Sequence, residues 1–189
     1  MKQLIYPEIR NDDVLQIMAT TTKPQRADLD GRTLFEAFLE ADAVFEKYQY
    51  PCTLAVLAEG IPHEPEWVEH IRKNIYRYNI ELHGLTHKNY ADVPYKEFMH
   101  ELRSAIEIIE TTFGQKITMW YPPWGRKGQR ISGVGCTRLG IAQFVQVGKV
   151  DAKLWLKEPE KYPHVNFHYW NRDQVKHVEE ILKRIHESN

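Results

Sequence analysis

Cysteine is scarce: Cys52 and Cys136 stand far apart and form no Cys-x-x-Cys pair, which argues against a structural zinc site built on thiolates. Long apolar runs are absent too, and nothing approaches the roughly eighteen uninterrupted apolar residues that a membrane-spanning helix needs. Neither charge is in excess. The net charge of -1 gives no bulk attraction to nucleic acid, and the short basic run Arg126-Lys127-Gly128-Gln129-Arg130 reads as a solvated loop. No nucleic-acid or membrane partner is therefore expected. Internal repeats, low-complexity tracts and flexible linkers are also missing. With 42% hydrophobic and 27% charged residues, the composition fits one globular domain over 1–189. The start, Met1-Lys2-Gln3-Leu4-Ile5-Tyr6-Pro7, carries charge and proline where a secretory signal needs an apolar run, so a cytoplasmic location is expected.

What is present centres on Glu81-Leu82-His83-Gly84-Leu85-Thr86-His87. Two histidines four apart can turn both rings to one side, and neutral imidazole is the commonest protein ligand for a divalent metal. A catalytic centre of the zinc type needs a third protein ligand, and Asp12 and Asp13 are the obvious suppliers. The His-Glu-x-x-His helix of metalloproteases has the same spacing. That reading fails at Gly84, which offers no base and weakens a helix by about 1 kcal/mol. The histidines are expected on a turn that closes a strand. By spacing alone, the pair fits equally well as one surface and one core histidine.

Along the chain, short apolar segments alternate with amphipathic ones. A first strand is read over Leu4–Asn11 with Asp12 and Asp13 at its exit, then a polar loop from Thr20 to Gly31. Thr33 and Glu36 form a capping box for a helix with Leu34, Phe38, Ala41 and Phe45 inward. A strand over 51–58 and a helix begun by Pro65 precede a strand over 79–82 that leads into the histidines. Tyr95 to Phe113 is a helix, Ile117–Tyr121 a strand, and Pro122-Pro123-Trp124-Gly125 a rigid turn. A short helix around Gln129 and Ile131, strands over Ile141–Val147 and His164–His168, and a last helix capped by Asp173 complete the reading. This alternation implies parallel strands with helical crossovers, an α/β fold built as a barrel or an open doubly wound sheet. Asp12-Asp13, His83-His87, the Pro122–Gly125 turn and His168 then fall on the rim where such folds bind ligands.

In this order and spacing, Asp12-Asp13, His83 to His87, Tyr121-Pro122-Pro123-Trp124-Gly125, the segment from Asp151 to Trp155 and Asn166-Phe167-His168 resemble the motifs of the polysaccharide deacetylase family. This is the NodB-homology group, carbohydrate esterase family 4. The resemblance implies an irregular (β/α) barrel and a divalent metal, zinc or another first-row ion, held by Asp13, His83 and His87. It further implies Asp12 as catalytic base, His168 as acid and the Trp124 backbone N–H as oxyanion donor. Substrate contacts are expected from Tyr121, Pro123, Trp124 and Tyr169. The implied reaction removes an N-acetyl or O-acetyl group from a saccharide. A cytoplasmic small amide or ureide is the alternative substrate, and a non-catalytic metal- or glycan-binding module is the alternative of another class.

The chain departs from the family pattern in four places. Tyr121 stands where many members have an arginine that pairs with the base. Arg10 is two residues before Asp12 and substitutes for it if both side chains point the same way along the strand. Gly84 replaces a serine or threonine, Val14 a glycine, and Asn166 a leucine. None of these changes removes a ligand.

Overall fold

A computed structural model of the chain describes residues 6–125, 130–144, 152–159 and 161–188. Its strands are β1 (Glu8–Val14), β2 (Cys52–Leu57), β3 (Tyr78–Gly84), β4 (Met119–Trp120), β5 (Ala142–Gln143) and β6 (His164–His168). All pair in parallel, in the spatial order β5-β4-β3-β2-β1-β6, and the sheet curls into a half-barrel. The helices are α1 (Lys23–Leu29), α2 (Leu34–Tyr48), α3 (Pro65–Lys73), α4 (Tyr95–Phe113), α5 (Arg130–Leu139), α6 (Ala152–Lys157) and α7 (Arg172–Glu187). No described helix is long and apolar enough to cross a membrane.

The period of two along β1 and β6 separates two kinds of face. Val165 and Phe167 are fully buried, and the Phe167 ring stacks on Phe45 of α2 with centroids 5.7 Å apart. On the other face, Glu8, Arg10 and Asp12 stand beside His164, Asn166 and His168 in register. A polar inner face is costly unless its groups are paired. Glu8 accordingly accepts hydrogen bonds from the Thr53 hydroxyl at 2.8 Å and the Tyr121 hydroxyl at 3.0 Å, and lies 2.9 Å from His164 Nδ1. Among the described residues no ladder joins β5 to β6, but the rings of Phe144 and His164 face each other 5.5 Å apart across that gap.

Two strands carry an extra residue. Arg10 and Asn11 pair with Thr53 and Leu54, yet Val14 pairs with Val56, so β1 spends three residues where β2 spends two. Between β2 and β3, Val56 pairs with Leu82 and Leu57 with Gly84, which leaves His83 as the extra residue. Such bulges re-aim side chains. In β1 the turn is made by Asp13, whose φ of 59° lies in the left-handed region. Adjacent side chains that would alternate across a regular strand are thereby both brought to the cleft.

Several boundaries differ from the sequence reading. Asp12 and Asp13 lie inside β1 at its bulge, not beyond its end, while Leu4 and Ile5 fall outside the described residues. The expected loop over 20–31 contains α1, begun by a Thr22–Gln25 capping box with proline in the first turn. Only Leu29 of that helix is buried, so it shows no apolar period to find. β4 is shorter than expected because the Thr118 hydroxyl and the amides of Thr118 and Met119 are taken by the buried Glu81 carboxylate instead. α7 is capped by Asn171, whose side chain accepts from the Gln174 amide, not by Asp173. Residues 126–129, 145–147 and Asp151, to which a loop, a strand end and a motif were assigned, lie outside the described residues. Trp155 is buried in α6.

Candidate active site

At the C-terminal ends of β1 and β3, three side chains converge. His83 Nε2 lies 2.8 Å and His87 Nε2 3.0 Å from the same oxygen, Asp13 Oδ1. The two imidazoles are tilted at 34° with centroids 5.5 Å apart. His83 Nδ1 is 2.7 Å from the Tyr121 carbonyl oxygen, which can only accept, so Nδ1 carries the hydrogen and Nε2 turns its lone pair toward Asp13. The turn between the histidines is tight. A Cβ on Gly84 would stand 2.9 Å from the Thr86 carbonyl oxygen and 3.0 Å from the Tyr90 hydroxyl, which accepts from the Leu85 amide. A serine or threonine does not fit there without displacing the turn.

The fit of this triad to a divalent ion can be tested on one atom. Asp13 Oδ1 is buried and has no hydrogen-bond donor, although two ring nitrogens approach it. Such an orphan is expensive unless a cation completes it. One carboxylate oxygen and two imidazole nitrogens, all within 4.8 Å of one another, are the donor set of a three-ligand centre of the zinc type. Burial pushes the Asp13 carboxyl up, but its contacts with His83 and His87 outweigh this and hold it well below the usual carboxylate range. Without an ion between them, burial lowers His83 and the same carboxylate more than reverses that, so the raised imidazole takes a second proton on Nε2, and an ion replaces that proton.

Asp12 faces a different partner. Arg10 Nε lies 2.5 Å from Asp12 Oδ1 and donates to it, while Arg10 Nη2 donates to Asp12 Oδ2 at 3.0 Å. Asn166 Nδ2 is 3.4 Å from Oδ2. Burial raises the Asp12 carboxyl, and the Arg10 charge and hydrogen bonds, helped by His83 and His168, bring it below its ordinary value. The guanidinium rests on the Tyr121 ring, 4.1 Å from its centroid, and 4.9 Å from that of Phe144. Arg10 and Asp12 do point the same way along β1.

His168, beside Asp12 on β6, is about one third exposed, with Nε2 4.0 Å from Asp13 Oδ2. Gln174 Oε1 accepts from the His168 amide at 2.8 Å and lies 3.1 Å from His168 Nδ1, so Nδ1 is the protonated nitrogen and Nε2 faces the cleft. Trp124 has φ 65°, is 59% exposed, and lays its indole 4.9 Å from the His87 ring. These groups line a cleft of about 660 Å³ that also takes in Thr22, Pro24 and Gln25 from the start of α1.

Two residues expected at the substrate are elsewhere. Tyr169 is fully buried between Trp67, Phe38 and Trp170, and its hydroxyl donates to the Asp13 carbonyl from beneath. It follows His168, the last residue of β6, and turns to the side away from the cleft, where Phe38 and Trp67 lie. Pro123 is buried and Pro122 lines the cleft in its place. Tyr121 is at the cleft, but as its floor, with its hydroxyl committed to Glu8. Gln174, Phe144 and the start of α1 were missed. A glutamine in the first turn of a helix gives no local sign of reaching back to a histidine six residues earlier.

A family model described as polysaccharide deacetylase matches residues 34–137, which include His83, His87 and the Pro122–Gly125 turn. No match was found among curated proteins. Among solved structures, a family 4 carbohydrate esterase pseudoenzyme from Bacillus anthracis has a TM-score of 0.69 at 13% identity, over 98% of this chain and 62% of that one. The chain thus spans less than two thirds of that protein's length. A mutant of the pseudoenzyme with restored enzymatic activity gives a TM-score of 0.70 at 14% identity, over 98% of this chain and 64% of the mutant. The peptidoglycan deacetylase PdaC from Bacillus subtilis gives 0.64 at 16% identity, over 98% of this chain and 85% of its own. At such identities these likenesses speak for the fold.

Proposed function

Because the chain belongs to the polysaccharide deacetylase family, we propose that it is a metal-dependent hydrolase removing N-acetyl, or O-acetyl, groups from a saccharide. The observation that carries this reading is the convergence of Asp13, His83 and His87 on one point, beside a second carboxylate and a third imidazole with separate partners. A divalent ion of the zinc type held by Asp13, His83 and His87 would supply Lewis acidity, bringing the pKa of a water toward ~7 and polarising the acetyl carbonyl.

The chain's own groups account for the proton transfers. Asp12 accepts the proton of the attacking water. A carboxylate has about four lone-pair sites. Arg10 and Asn166 take three of them, which leaves one on Oδ1. His168, in its protonated form, gives a proton from Nε2 to the departing amine nitrogen as the C–N bond breaks, so the products are acetate and a free amine. The Trp124 N–H is the proposed donor to the developing oxyanion. Its exposed indole offers a flat face for a sugar ring.

The charge of the cleft favours a neutral sugar over a small acid. Among the described lining residues, Arg10 is the sole side chain with a permanent positive charge, and both carboxylate oxygens of Asp12 already occupy it. The test is acetate release from N-acetylated chito-oligosaccharides and acetylated xylan by metal-reconstituted wild type, Asp12→Asn and His83→Ala. Release by the wild type that fails in both variants supports the proposal. Release that survives Asp12→Asn overturns the role of the base. Silence from a protein that binds one metal per chain favours a small amide substrate, and silence without metal binding favours a non-catalytic module.

A further inference from the structure

Asp12 and Asp13 are adjacent and chemically identical, and the bulge in β1 brings both to the same rim, yet only Asp13 meets His83 and His87. Two like charges this close share any cation offered to them unless something sets them apart. We infer that Arg10 is the positioning residue that keeps the aspartates in different roles, gripping both Asp12 oxygens so that Asp12 stays out of the metal's ligand set and remains available for proton transfer. The inference rests on the metal-dependent reading above and adds to it the device by which neighbouring carboxylates are told apart.

Three observations support it. First, the grip is two-pronged, with Nε on one Asp12 oxygen and Nη2 on the other, which fixes the plane of the carboxylate as well as its position. Second, the guanidinium is itself held. It lies 4.1 Å from the Tyr121 ring centroid, and the Tyr121 hydroxyl donates to Glu8, which Thr53 also ties in place. A run of paired groups thus extends along the inner face from Glu8 through Tyr121 and Arg10 to Asp12. Third, Arg10 and Asp12 are two residues apart on β1 and stand in unbroken register with Asn166 and His168 of β6, so they share one face there, while the bulge against β2 turns Asp13.

The test uses cobalt(II) in the full chain, because its visible bands weaken as coordination number rises and its affinity can be read by chelator competition. Arg10→Gln is expected to weaken the bands and to tighten cobalt binding as Asp12 swings onto the ion, opposite in sign to the affinity loss that follows when an outer-shell partner merely stops orienting a ligand. Acetate release should fall by about 100-fold or more, the range for losing a general base. In the Arg10→Gln/Asp12→Asn double variant, the spectrum and affinity should return to those of Asp12→Asn. Arg10→Lys, which keeps the charge but reaches one oxygen only, should shift both readouts in the same direction by less. It replaces Arg10→Gln if that variant does not fold. Wild-type spectrum and affinity in the arginine variants overturn the inference, as does a change that persists without the Asp12 carboxylate. A wild type that binds no cobalt overturns instead the metal reading on which the inference stands.

Discussion

A Cβ on Gly60 would stand 1.8 Å from the carbonyl oxygen of Leu15. The turn after β2 is therefore pressed directly onto the backbone that leaves β1, two residues beyond Asp13. Leu15 itself has φ 62°, a conformation disfavoured for a leucine, and the contact helps to hold it there.

Gly60→Ala should push these turns apart. Overpacking a closed site costs about 1–3 kcal/mol, so urea unfolding should show a loss of that size. Metal affinity should drop with it, because Asp13 leaves its place opposite the histidines. A destabilised variant with unchanged affinity would mean that β1 alone positions Asp13.

Metal removal should be visible in stability without any substrate. An ion bound only by the native state stabilises it by about 2.7 kcal/mol at a hundredfold excess over Kd. Thermal unfolding of the wild type should therefore shift upward with zinc and back with chelator. Asp13→Asn and His83→Ala should lose that response, and a full response in either variant would remove that residue from the ligand set.

The metal-free protein should lose stability in both acid and base. Asp12, held below its unfolded value of about 3.9 mainly by Arg10 against burial, contributes fully above that value and loses its contribution as pH falls through the folded one. His83 is raised above its unfolded value of about 6.5 by Asp13 against burial. Its contribution is full below that value and disappears as pH rises through the folded one. Urea midpoints across pH should fall on both sides, and saturating zinc should remove the alkaline fall, since the ion takes the neutral imidazole. An alkaline fall that persists in His83→Ala would assign it to another group.

Gln174→Leu should release the His168 ring while leaving the metal ligands untouched. Turnover should fall by about tenfold or more, within the loss of 10²–10⁴ set by removing a general acid outright. Metal affinity should not move. An equal fall in metal affinity would place His168 on the ion and not on the leaving group.

Much of the fold was legible because it is periodic. The apolar stripe of α4, the Thr33–Glu36 capping box of α2 and the alternation of β6 are local patterns that survive in the structure. α1 was invisible for the converse reason, being under two turns long with one buried residue. Tyr169 was misplaced because an aromatic beside a rim histidine says nothing about which face it takes until the strand's orientation is known. Its partners are Phe38 and Trp67, more than a hundred residues away in the chain.

The sequence by itself determined the donor types and their order: a pair of aspartates, two histidines four apart, a Pro-Pro turn and a late histidine, each near the end of an apolar segment. Tertiary structure decided their roles. Whether Asp12 or Asp13 meets His83 depends on an extra residue in β1 relative to β2 and another in β3. Register is a relation between strands, set by hydrogen bonds that no single segment contains, and one residue of offset reverses the direction of a side chain.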